Sequence, residues 1–159
     1  MHDLTADQLR AAMTYDPATG TFRRLKPWRG RYTPGDVTVY GYQRINVGKH
    51  RYFAHRLAFL WMTGRWPEAQ IDHKNGNRLD NRWCNLREAT AQENRRNERK
   101  RGSNPYKGIT FYKPTGRWKA SIKVNRREKS LGYFTTPIEA HTAYARAARK
   151  YFGEFARVA

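Results

Sequence analysis

The chain has 159 residues, room for one ordinary domain or two small ones. Its 32 Lys and Arg stand against 13 Asp and Glu, and the resulting formal net charge of +19 favours a polyanionic partner. A lone cysteine, Cys84, excludes an internal disulfide and a multi-thiolate zinc site; following a Trp, it reads as a small hydrophobe packed inside a protein of a reducing cytosol.

At the N-terminus, Asp3 and Asp7 occupy the region where a signal peptide would need positive charge and then an apolar run, so a cytoplasmic setting is expected. Residues 4–13 predict a short amphipathic helix with Leu4, Leu9, Ala12 and Met13 on one side and Thr5 with Gln8 as a capping box. A hairpin is expected next, because Asp16-Pro17 and Thr19-Gly20 supply turn chemistry between β-prone flanks. Gly41 then divides a second β-rich stretch, Val37 to Phe53, so that residues 14–54 read as small antiparallel β-structure.

From His55, Leu57, Ala58, Leu60 and Trp61 recur at helical spacing until Gly64 and Pro67 end the segment. This is the most apolar part of the chain, yet Phe53 to Met62 is interrupted by His55 and Arg56 and is far too short to span a bilayer, which takes roughly 20 residues. No membrane partner is expected. The run Arg95 to Ser103 has no apolar residue and reads as the tail of a helix passing into a linker at residues 101–105. The implied organisation is an N-terminal helix and hairpin region (1–50), a first module (51–100), that linker, and a second module (106–159).

The stretch from Ile71 to Asn97 concentrates the chemistry. Asp72 offers a carboxylate and Asn94 an amide oxygen, both hard donors suited to Mg²⁺ or Mn²⁺, and His73 can be near neutral at physiological pH and accept a proton. Neighbours on a strand face opposite ways, so Asp72 and His73 would need a strand end or bend to converge. By themselves, Asp72 and His73 followed by Lys-Asn-Gly-Asn read as a solvated turn sooner than as a metal site.

Taken jointly, NGN, DNR, NLR, EN and RN, in register and set in a basic chain, resemble the HNH endonucleases, the ββα-metal nucleases of phage and homing enzymes, over about residues 51–97. The resemblance implies that His73 is the general base, that Asp72 and Asn94 hold a divalent cation, and that Asn85 braces the loop between two strands. Thr90 and Glu93 mark the expected entrance of the helix that carries Asn94. HRLAFLW also resembles this family's upstream helix, where His55 and Arg56 would accompany the site; His55 reads equally as a capping or core residue.

Beyond the linker the pattern changes to three short strands, KGITFYK, RWKASIKV and KSLGYF. They precede a helix with Thr136 as N-cap, Pro137 at its first position and Glu139 completing a capping box, and Ala140, Ala143, Tyr144, Ala147, Ala148 and Tyr151 line its apolar face. Period-two alternation sends Trp118, Ala120, Ile122 and Val124 toward that helix and Arg117, Lys119, Ser121 and Lys123 away from it. Lys107, Thr110 and Tyr112, with Arg126, Arg127 and Ser130, extend the polar face.

YKGI, GRWKASIKV and LGYFTTPIEAHTAYARAARKYFGEF are similar, in this order, to the Apetala-two or ethylene-response-factor DNA-binding domain, from Asn104 to Phe155. The resemblance implies that the exposed sheet face enters the major groove of double-stranded DNA. Tryptophans that the family carries on that face are absent, with Thr110 and Ser130 in their places, so a docking mode carries over and a target sequence does not.

The expected fold is therefore α+β, a ββα-metal module followed by a three-stranded antiparallel sheet on one helix. The expected function is a metal-dependent DNA endonuclease without a small-molecule cofactor, of phage or mobile-element origin and acting in a bacterial or infected host cell. One site per chain makes a nick the simplest event. The competing reading is a DNA-binding regulator that keeps the fold without catalysis.

Overall fold

In the computed structural model, residues 4–25, 35–97, 106–156 and 158 are described. The linker expected at 101–105 lies outside them, as does Asp3. The chain divides into two compact units, residues 1–91 and 92–159.

The first unit opens with α1 (Ala6–Ala12), capped as its sequence predicts: Thr5 accepts from the Gln8 amide while Gln8 closes the reciprocal bond to the Thr5 N–H. Leu9 and Met13 are buried, whereas Ala12, expected beside them, is exposed because the helix ends there and Met13 already belongs to a strand. β1 (Met13–Asp16) pairs antiparallel with β2 (Thr21–Arg24) across the Asp16-to-Gly20 turn.

The second β-rich stretch is one hairpin, β3 (Arg44–Val47) against β4 (His50–Phe53), turned at Gly48. Gly41 does not divide these strands. It closes a tighter turn inside the isolated bridge Val37–Gln43, where its φ of 80° suits a residue without a Cβ.

Next, α2 (Ala54–Thr63) stops at Gly64, which is left-handed and donates its N–H to the Leu60 carbonyl. This helix joins two clusters. Ala54, Leu57 and Leu60 pack with Leu9, Met13, Ile45 and Val47, while Ala58 and Phe59 pack with Tyr15, Ile71 and Leu86. A helix apolar on more than one side is an internal spine, and here it holds three separate hairpins together. The third of these is β5 (Gln70–His73) with β6 (Leu86–Ala89), and α3 (Ala91–Asn97) follows in the chain across the division between the units.

In the second unit, β7 (Ile109–Tyr112), β8 (Arg117–Val124) and β9 (Arg127–Phe134) form an antiparallel sheet in that order. One face packs on α4 (Pro137–Phe152), whose Thr136–Glu139 capping box is present. Ile109, Ala120 and Ile122 meet Ala140, Tyr144 and Ala148, with Trp118 and Val124 at the edge of this core. Tyr151 departs from the expected apolar face: it lies exposed at the rim beneath the Lys129 ammonium, 4.8 Å from its ring centroid, and Phe152 packs on the core instead.

Candidate functional site

The β5–β6 ladder is regular through its last pair, setting Asp72 opposite Arg87 and His73 opposite Leu86. Regular pairing leaves alternation intact, so Asp72 and His73 keep different company. Oδ2 of Asp72 accepts from Nε and a terminal nitrogen of Arg87 at 2.9 and 2.7 Å, and both side chains are buried. Nε2 of His73 lies 3.3 Å from Oδ1 of Asn81, and its ring stands edge-on to His55 at 5.2 Å between centroids.

Residues 74–85 form the loop that links the two strands. Asn75 and Asn77 each accept the backbone N–H two residues on, successive Asx turns of the kind that a run of Asn and Gly favours. Asn85 ties the loop across its base: its Oδ1 accepts from the Asn75 N–H at 3.0 Å and its Nδ2 donates to the Asp80 carbonyl at 2.8 Å. Arg82 grips Asp80, holding its carboxyl down at about 2.

Asn81 is fully buried at the centre. Its Nδ2 donates to Oε1 of Gln43 at 3.1 Å, which turns its Oδ1 toward His73. The backbone around it is held from the N-terminal hairpin: the Tyr15 hydroxyl donates to the Asn81 carbonyl at 2.7 Å, and the Trp83 N–H donates to the Pro17 carbonyl at 3.0 Å. At Gly20, φ 75°, an added Cβ would lie 2.5 Å from the Asn81 and Arg82 backbone, so only glycine lets the hairpin turn approach this closely.

Burial pushes the imidazole of His55 down to about 3, and the neighbouring His73 adds to the effect. Its Nδ1 is buried without a hydrogen-bond partner. His73 is also lowered, mainly by burial and against the opposing pull of Asn81 and Asp72. Both rings are therefore neutral at physiological pH. Arg56 points elsewhere, donating to the Pro67 carbonyl at 3.3 Å and lying over the Trp66 ring. Asn94 is on α3, beyond the division between the units, so the first unit does not contain it. Cys84, read as a packed hydrophobe, is exposed in the single helical turn Trp83–Asn85, where its neighbour Trp83 packs against Phe59 instead.

Asn81 and Arg87 escape a reading of the sequence. One is hidden in a run of turn residues, and the other meets Asp72 only through strand register. As for a metal, no group of three His, Cys, Asp or Glu side chains converges among the described residues. A hard cation such as Mg²⁺ is commonly held by one or two carboxylates, with water and substrate phosphate completing its shell. Asp72 is a donor of that class, and in this structure its Oδ2 is taken up by Arg87.

On the sheet of the second unit, Thr110 pairs with Lys119, Tyr112 with Arg117, and Lys119 with Tyr133. The register shifts between Ala120 and Ser121, after which Ser121 meets Ser130 and Lys123 meets Glu128. Asn125 and Arg126 form the β8–β9 turn with positive φ, and Arg127 opens β9. The Lys107 carbonyl lies 3.4 Å from Nδ1 of His141, and the side chain is half-buried. Two further residues belong to this face. Tyr133 is exposed with its ring 5.5 Å from that of Tyr112, and Glu128 pairs with Lys119 at 3.2 Å.

Within the first unit a buried Asp-His pair closes a strand, an Asn-braced loop follows, and a second strand pairs with the first. A family model described as HNH endonuclease matches residues 52–96. The chain is also 43% identical over 67 residues to APETALA2-like protein 2 of rice, in both the indica and japonica subspecies, which is 42% of this chain and 15% of that protein. It is 42% identical over 63 residues to the AP2-like ethylene-responsive transcription factor TOE2 of Arabidopsis thaliana, 40% of this chain and 13% of the relative. The chain thus spans about 15% of the length of the curated relatives it matches. It joins an HNH endonuclease module to an AP2-like DNA-binding domain.

Proposed function

We propose that this chain is a divalent-metal-dependent endonuclease that hydrolyses phosphodiester bonds in double-stranded DNA. The observation that carries the proposal is His73, buried and neutral inside the segment that matches the HNH family, with Asn81 beside one ring nitrogen.

Asn81 presents an acceptor to Nε2, so Nε2 carries the ring proton and the lone pair sits on Nδ1. That nitrogen takes the proton from the attacking water, and the hydroxide equivalent then attacks the phosphorus. Asn85 keeps the loop folded around this base through its bonds to residues 75 and 80. Asp72 is the residue of the first unit that would hold the cation. When bound, the cation supplies charge neutralisation on the phosphate and help for the leaving 3′ oxygen. His55 backs the ring of His73, and Arg56 turns to the Pro67 carbonyl.

The second unit grips the substrate. Thr110, Tyr112, Arg117, Lys119, Ser121, Lys123 and Ser130 present one sheet face to the major groove, with Lys107, Arg126 and Arg127 at its edges. The major groove of B-form DNA admits such a face, whereas that of A-form RNA is too narrow.

A second reading is favoured by one specific observation. Asp72 is already neutralised by Arg87, as a non-catalytic DNA-binding regulator built on this fold would tolerate. The two readings separate on supercoiled plasmid incubated with wild type and His73→Ala, each with Mg²⁺ and with chelator. The nuclease converts plasmid to open-circular or linear form only with metal and only with His73; binding without conversion in every arm overturns it in favour of the regulator.

A further inference from the structure

The tip of the turn from Val37 to Gln43, residues 39 and 40, has no part in the proposed hydrolysis or in sheet docking, yet the turn's construction is specific. The Thr38 N–H donates to the Tyr42 carbonyl at 2.9 Å, the Gly41 N–H to the Thr38 carbonyl at 2.7 Å, and the Tyr42 N–H to Oγ1 of Thr38 at 3.1 Å. From the strand-linking loop, Arg78 donates to the Tyr40 carbonyl at 2.8 Å. Four hydrogen bonds close a turn whose tip is apolar and in water, with Val39 96% and Tyr40 72% exposed.

An ordered turn that holds large apolar side chains away from every core is built to bury them in something else. Its foot is packed into the candidate active site. The Tyr42 ring lies 5.2 Å from His55 and 6.1 Å from His73, Arg78 sits over the same ring at 4.8 Å, and Gln43 accepts from Asn81. The tip is thus joined to the surroundings of the candidate base through Arg78, which bonds the Tyr40 carbonyl and covers the Tyr42 ring.

We propose that Val39 and Tyr40 form a wedge that enters the base stack of duplex DNA next to the phosphate presented to His73. The position of that phosphate rests on the nuclease reading above. The occupant is argued from charge: the chain carries a net +19, and the guanidinium of Arg78 sits at the back of the tip. Apolar side chains on a rigid element among basic groups are the means by which DNA-bending proteins part a base step and kink the helix, and an aromatic ring such as that of Tyr40 stacks on a base of any identity.

Parting a base step unwinds DNA, and unwinding is readable without cleavage. The test takes the full chain in chelator with relaxed, covalently closed plasmid and a type IB topoisomerase, which needs no divalent metal. The linking number is measured after deproteinisation, and retention of the same plasmid on a filter reports binding. Wild type should shift the topoisomer distribution in proportion to protein bound. Val39→Ser/Tyr40→Ser, which alters only exposed side chains, should still retain plasmid and lose the shift, and Tyr40→Phe should keep it. Wild type that retains plasmid without a shift overturns the wedge, as does a double variant that shifts topoisomers as wild type does. Failure of wild type to retain plasmid overturns the wedge together with the DNA-binding reading, whereas a chain that shifts topoisomers but never nicks plasmid in Mg²⁺ leaves the wedge standing and fails only as a nuclease.

Discussion

Replacing Arg87 with Met tests the most consequential contact of the β5–β6 hairpin. Two guanidinium nitrogens converge on Oδ2 of Asp72, and the side chains of Arg87 and Asp72 are only 9% and 5% exposed. Removing one partner of a buried pair leaves the other as an uncompensated charge, at a cost of about 3–5 kcal/mol, out of a total of about 5–15 kcal/mol for a typical domain. In urea, with an m-value of about 2 kcal/mol/M, the midpoint should fall by about 2 M. Emission from Trp61, Trp66 and Trp83 would follow the first unit, in chelator. Asp72→Leu/Arg87→Met should recover most of the loss, because a buried pair replaced on both sides is close to neutral. A loss under about 1 kcal/mol in Arg87→Met, or a double variant equal to the sum of the singles within about 0.5 kcal/mol, would refute the reasoning. If Asp72 is also a metal ligand, Mg²⁺ should raise the midpoint of Arg87→Met and leave Asp72→Asn unmoved.

Asn81→Ala strands the His73 and Gln43 polar atoms that Asn81 now serves. It should lower stability by about 1–3 kcal/mol and slow plasmid nicking about 10–100-fold, the range for partners that orient an imidazole; a rate unchanged from wild type would remove Asn81 from the mechanism. His55 has its proton affinity depressed to about 3 in the folded state. Its contribution to stability is therefore full above the unfolded value of about 6.5 and is lost as pH falls from there toward about 3, by up to about 1.4 kcal/mol per pH unit. Urea midpoints between pH 7.5 and 5.5 should fall accordingly and His55→Phe should flatten the trend, whereas equal midpoints would contradict it. In the second unit, a Cβ at Gly108 would lie 1.9 Å from the Tyr144 ring at a φ of 76°. Gly108→Ala should destabilise that unit by more than about 1 kcal/mol and lower DNA retention with it; a thermal midpoint unchanged in Trp118 emission would show that the ring yields freely.

What the sequence discloses here follows the range of each interaction. The capping boxes at Thr5–Gln8 and Thr136–Glu139 and the left-handed stop at Gly64 are legible because each is settled within one helical turn. Alternation is equally local and sorts Trp118, Ala120 and Ile122 from Lys119 and Lys123. Strand register is not local. Arg87 opposite Asp72, and Tyr133 beside Tyr112, become neighbours only once two strands are aligned, and in β8–β9 the alignment slips at Ala120. Asn81 is the hardest to read, since its surroundings look like any polar turn. It is held from far along the chain, its carbonyl accepting from Tyr15, 66 residues away.

That reach decides what can be inherited as a piece. The segment matching the nuclease family begins at residue 52, but the loop it contains is moulded from outside by Tyr15, Pro17 and the bare backbone of Gly20. A recombination event that moved residues 52–96 alone into another protein would carry Asp72, His73 and Asn85 without the die that casts their loop. The smallest fragment expected to keep that loop in shape starts before Tyr15.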